Sequence, residues 1–162
     1  MFPGQWTFAY KLVLLLHILS VIVAFAPAFV WPVVSVKLKK QGKQPGPVIG
    51  ELAANNTNKV HGPALVLAGL FGFALIGMSK PANAGGGAKA IWEFSQPWVS
   101  VALLCWFIML GLVFAVMAPA EKKAAAGDEG AEKIISAVGG MLHLLLVVVL
   151  VMMIFKPGFS FN

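Results

Sequence analysis

Four apolar runs, about 11–36, 60–78, 97–118 and 134–155, alternate with short polar segments along the chain. Each approaches or exceeds the roughly 20 residues that a helix needs to cross the hydrocarbon core of a bilayer. The pattern predicts an all-α integral membrane four-helix bundle forming one domain. Each run also meets a proline near its end: Pro32, Pro81, Pro119 and Pro157. Proline has no N–H to donate and disfavours helical geometry in the residue before it, so the four are read as stops. Pro27 lies inside the first span. It is expected to kink that helix and to leave a carbonyl for a neighbouring helix to satisfy.

The connections are short. KLKKQGKQPGP is read as a loop, VIGELAANN as a short interfacial helix, and Thr57 or Asn58 as the cap of the second span. The second connection is glycine-rich at Gly85–Gly87 and then aromatic, with Trp92 and Trp98 suited to a headgroup-level belt. In the third, Asp128, Glu129 and Glu132 stand where the last helix begins, favourable for its dipole.

One face recurs. His17, Ser20, Ala24 and Ala28 have the same spacing as His61, Ala64, Ala68 and Gly72, and each set falls on one side of a helix. The fourth span places Ser136, Gly139 and Gly140 on the side of His143. Small residues let membrane helices approach closely, so these positions are expected to pack against protein, with the histidines beside them.

Composition agrees with the pattern. Only 11% of the 162 residues are charged and 59% are hydrophobic, against about 25% charged in a soluble domain. The net charge of +6 comes from lysine alone. Because the lysines flank apolar spans instead of forming a basic face, nucleic acid is not an expected partner. Lys37–Lys43 is expected to meet anionic lipid. The first and third connections together hold more lysines than the opposite side, which predicts that both lie in the cytoplasm and both termini outside. Cys105, a single cysteine in an apolar run, forms no disulfide framework and is read as a small buried hydrophobe.

Candidate chemistry is sparse. Ionisable groups within a membrane are costly and are functional suspects. His17 and His143 are the intramembrane candidates for haem or metal ligation, since neutral imidazole ligates both. From the flanking lysines their depths differ by about 10 Å, which counts against a shared bis-histidine haem. His61, close to Lys59, is read as interfacial. No paired carboxylate, phosphate-binding glycine loop or HExxH helix is present. The leading reading is therefore a non-enzymatic accessory or scaffold subunit, acting as a homo-oligomer or within a larger membrane complex. The alternative is a redox or transport protein holding haem b or copper through intramembrane histidines. A proton or solute path along the histidines would need a polar track, for which only Ser20, Ser100 and Ser136 offer themselves.

LHILSVIVAFAPAFVWPVV resembles the opening span of a bacterial integral membrane family, domain of unknown function twenty-two sixty-nine. PWVSVALLCWFIMLGLVFAVMAPAEKK and the closing MMIFKPG are similar to later segments of that family. The resemblance implies a four-span protein of the bacterial inner membrane with no assigned activity. More distant likenesses are the CopD-type copper-resistance domain and HemJ-type protoporphyrinogen oxidase, both with a histidine early in the first span, where this chain has His17.

Overall fold

The computed structural model describes residues 6–80 and 90–158, and the regular structure among them is entirely helical. Four long helices make up the bundle: α1 (Phe8–Lys40), α2 (Pro45–Gly77), α3 (Pro97–Ala125) and α4 (Glu129–Phe155). All four are long and apolar enough to cross a bilayer, and the chain is a multi-pass integral membrane protein. α1 packs along α2, the first half of α2 lies on the last turns of α3, and α3 packs on α4. α1 and α4 touch only sparsely, so the bundle is least closed between them. Phe25, Leu65, Met109, Val138, Leu142 and Leu146 form the buried apolar centre.

Two of the four expected proline stops, Pro32 and Pro119, are not stops. α1 continues through Pro27 and Pro32 to Lys40. α2 begins at Pro45, so the expected loop and interfacial helix are partly its own first turns, and Gln44 is its N-cap. Thr57, expected to cap this span, lies within it, and its hydroxyl donates to Glu121 instead. α3 continues through Pro119 to Ala125. At Pro27, Pro63 and Pro119 the helix absorbs the missing hydrogen bond in another way. Pro27 frees the carbonyl four residues earlier, that of Val23, and His61 Nδ1 on α2 donates to it at 2.8 Å. Ahead of Pro63 and Pro119 the helices loosen into π turns, Thr57–His61 and Leu112–Met117. There Gly62 N–H reaches Thr57 O and Ala118 N–H reaches Val113 O, a longer loop that absorbs the break. Pro157 does follow the end of α4, where Lys156 adopts φ 44°. Pro81 and Gly85–Gly87 lie outside the described residues.

α4 begins earlier than the apolar run. Asp128 accepts from Ala131 N at 3.2 Å, and Glu129 and Glu132 occupy the first turn, placing negative charge at the positive end of the helix dipole. At the opposite end of the bundle the tryptophans turn inward. Trp92 and Trp98 are buried, pack edge to face at 5.4 Å, and Trp92 Nε1 donates to the Tyr10 hydroxyl at 3.2 Å. Lys156 Nζ stands 4.0 Å from the centre of the Trp92 ring, a cation–π contact. Burial pushes the Lys156 ammonium below the usual lysine pKa. These rings seal this end of the bundle, a packing role that the expected outward belt does not describe.

Candidate functional site

The lysine-rich half of the bundle holds a half-open cavity of about 520 Å³, within the range typical of small-molecule and cofactor sites. All four helices contribute to it. Ala24, Pro27, Ala28 and Pro32 come from α1; Gly50, Ala53, Thr57, His61 and Leu65 from α2; Val113, Met117 and Glu121 from α3; Ser136, Gly139, Gly140 and His143 from α4. Both π turns supply wall residues, so the irregular backbone lies where it borders a hollow, as membrane proteins require. Beyond it, towards the lysine-rich face, lies a smaller charged hollow lined by Lys39, Glu129 and Lys133, with Glu132 and Ser136 common to both.

Two imidazoles reach the cavity. His61 Nδ1 is bonded to Val23 O at 2.8 Å and His143 Nδ1 to Gly139 O at 2.8 Å. A carbonyl only accepts, so each Nδ1 carries the hydrogen, and in the neutral ring Nε2 keeps its lone pair. This is the arrangement of a ligating histidine, whose second nitrogen is tied to an acceptor that fixes ring and tautomer. The Phe29 ring meets His143 edge on, with centroids 5.2 Å apart. The depths of the two histidines also agree. His61 lies about 24 Å along α2 from Pro45, and His143 about 21 Å along α4 from Glu129, the two helices starting at the same end. The early start of α2 moves His61 from the expected interface to mid-helix.

No family model, curated protein or solved structure matches this chain.

His17 is elsewhere. It lies outside the cavity wall, and its Nδ1 donates to Ala68 O on α2 at 2.7 Å. With His61 bonded to Val23 on α1, the two recurring faces clasp one another reciprocally: each histidine closes on a backbone carbonyl of the partner helix. Ala64 and Ala68 are buried in that contact, Ser20 is half-buried, and a Cβ at Gly72 would stand 3.6 Å from His17 Cε1. Trp106 on α3 adds a third such bond, donating to Leu65 O at 2.9 Å. Interhelical hydrogen bonds of this kind average about 0.6 kcal/mol in membrane proteins. His17→Ala is accordingly expected to lower stability by about 1 kcal/mol or less, read as a small fall in the detergent melting temperature.

The small residues of α4 behave differently from those of α1 and α2. A Cβ added at Gly139 or Gly140 would meet nothing within 4 Å. Gly140 and Ser136 are exposed while also lining the cavity, so this face borders open space. Ser136 lies near the start of α4 and Ser100 in the first turn of α3, at opposite ends of the bundle, and Ser100 is bonded to Phe94 O at 2.9 Å; with Ser20 on the face of His17, the three serines form no track.

One functional candidate is not visible in the apolar pattern. Glu121, beside Lys122 and Lys123, reads as part of a charged connection, yet it is 4% exposed. Thr57 Oγ1 donates to its Oε1 at 2.9 Å. The signal lay in Pro119: a helix that survives that proline carries Glu121 onto the bundle interior. Among the described residues no three His, Cys, Asp or Glu side chains cluster as a metal-ligand set, which leaves imidazole pairs as the ligating chemistry to consider.

Proposed function

We propose that this protein is a haem-binding redox component of the bacterial cytoplasmic membrane, holding haem b in the cavity through His61 and His143. The observation that carries the reading is the pair of imidazoles. They line one cavity at similar depth, and each has its Nδ1 anchored and its Nε2 lone pair left for a ligand. The walls fit a flat apolar group: alanines on α1 and the open glycines of α4 leave room that larger side chains would fill. When bound, such a group supplies one-electron transfer; the chain contributes ligands, orientation and an apolar, water-poor setting. The sparse contact between α1 and α4 provides an entry route from the bilayer.

The hollow, with two anchored imidazoles on its wall, favours a ligand-holding role over the scaffold reading. The lysine-rich end is placed in the cytoplasm on the lysine bias, with Lys37–Lys43 against anionic lipid. A second reading is favoured by Met117, whose thioether shares the wall with both histidines. Copper(I) accepts such soft and imidazole donors.

The full chain purified in mild detergent from haem-replete cells tests both. A Soret band with stoichiometric iron is expected. Colourless protein with bound copper would replace haem by the second reading, and protein without either would end both.

A further inference from the structure

Ligation by histidine leaves Glu121 of the cavity unused. Glu121 is almost wholly buried, and its Oε2 has no hydrogen-bond partner, while Oε1 is held by Thr57 at 2.9 Å. Both residues line the cavity. The side chain is held in place from two directions, because its own backbone carbonyl is pressed against Gly50 of α2. An unpaired carboxylate among apolar walls is costly, and such a group is stable there either as the neutral acid or beside a positive charge.

The groups facing it supply no fixed cation. α2 contributes His61 to the cavity, α4 contributes Glu132 and His143, and α1 contributes no titratable side chain to the wall. On its own helix Lys122 and Lys123 are exposed. Glu132 and Ser136 belong to both the cavity and the outer hollow that holds Lys39 and Lys133, so polar groups extend from Glu121 towards the lysine-rich face.

We propose that Glu121 is the proton-exchanging group of this cavity. With the cavity empty, Glu121 holds a proton on Oε2. Its redox half rests on the haem reading: a ferric core carries one net positive charge and a ferrous core none. Glu121 is then the ionised counter-charge in the oxidised protein. When a one-electron carrier reduces the iron, Glu121 takes one proton from the lysine-rich face by way of Glu132 and Ser136. The O–H bond formed on the carboxyl replaces one broken in hydronium or water at the lysine-rich face, and Glu132 and Ser136, each gaining one proton and passing one on, end unchanged.

Two measurements on the full chain in detergent decide this. Infrared spectra of the haem-free protein at neutral pH should show the carbonyl stretch of a buried carboxylic acid. That band should vanish in Glu121→Gln, persist in Glu132→Gln and shift in Thr57→Val, which removes the hydrogen bond but keeps the acid. A missing band in the wild type, or one that survives Glu121→Gln, overturns the proposal whether or not haem binds. In haem-loaded protein, each tenfold fall in proton concentration should lower the midpoint potential by up to about 59 mV, and Glu121→Gln should flatten that slope while keeping the Soret band. A flat wild-type profile, or an unchanged slope in Glu121→Gln, overturns the redox coupling. Failure to bind haem defeats the haem reading alone, and the infrared band then decides by itself whether Glu121 holds the proton.

Discussion

On the haem reading, His61→Ala and His143→Ala are each expected to remove the Soret band from protein purified from haem-replete cells, whereas His17→Ala is expected to retain it. The expected loss of haem occupancy is about tenfold or more, corresponding to at least about 1.4 kcal/mol of binding free energy. What separates the three is their place in the bundle, since the same nitrogen, Nε2, is free in each. All three histidines spend Nδ1 on a backbone carbonyl, Val23 for His61, Gly139 for His143 and Ala68 for His17. Only His61 and His143 belong to the cavity wall. Substitution at His61 has a second effect, because the Val23 carbonyl released by Pro27 then loses its donor. His61→Ala should therefore be less stable than His143→Ala, whose lost bond lies within its own helix. Equal loss of colour in His17→Ala with His61→Ala unaffected would move the ligand to the other end of the bundle.

The bundle was legible because length and hydropathy decide whether a helix spans a bilayer, and those are properties of composition. The boundaries were less so. Proline as a stop is a rule for isolated helices in water, where a freed carbonyl turns to solvent. In this bundle the carbonyl freed by Pro27 finds His61, and π turns precede Pro63 and Pro119. The sequence anticipated a partner for the Pro27 carbonyl without identifying it. The π turn ahead of Pro119 was not anticipated, and with it the last turns of α3 were missed.

The site followed the boundaries. With α2 started near Val60, His61 stood at the membrane edge and depth arithmetic left only His17 and His143 to compare. Starting it at Pro45 brings His61 to the depth of His143. Glu121 was hidden for the related reason that a carboxylate followed by two lysines reads as solvated charge. The spacing shared by His17 and His61 carried more information than periodicity alone reveals, since it places two copies of one face on helices that then clasp each other. Small residues, however, signal only that something comes close. On α2 that something is another helix; on α4 it is open volume.

Gly50→Ala is expected to destabilise the protein, while Gly140→Ala is expected to leave its melting temperature unchanged or slightly higher. A Cβ at Gly50 would lie 2.6 Å from Ala125 N, 2.8 Å from Glu121 O and 3.0 Å from the Ala124 carbonyl carbon, all backbone atoms of α3. Backbone cannot rotate away as a side chain does, so α2 and α3 must separate, at a cost of about 1–3 kcal/mol. Because Glu121 belongs to that contact, the same shift pulls its carboxyl from Thr57 and alters the infrared band assigned to it. At Gly140 a Cβ meets nothing within 4 Å, and alanine in place of glycine favours a helix by roughly 0.5–1 kcal/mol. Gly140→Leu separates the two roles of small residues. It should keep the helical circular dichroism and the melting temperature while filling the cavity, so that haem is excluded from folded protein. If Gly50→Ala melts like the wild type, the close approach of α2 and α3 is wrong; if Gly140→Leu still binds haem, the cavity beside His143 is not where the ligand sits.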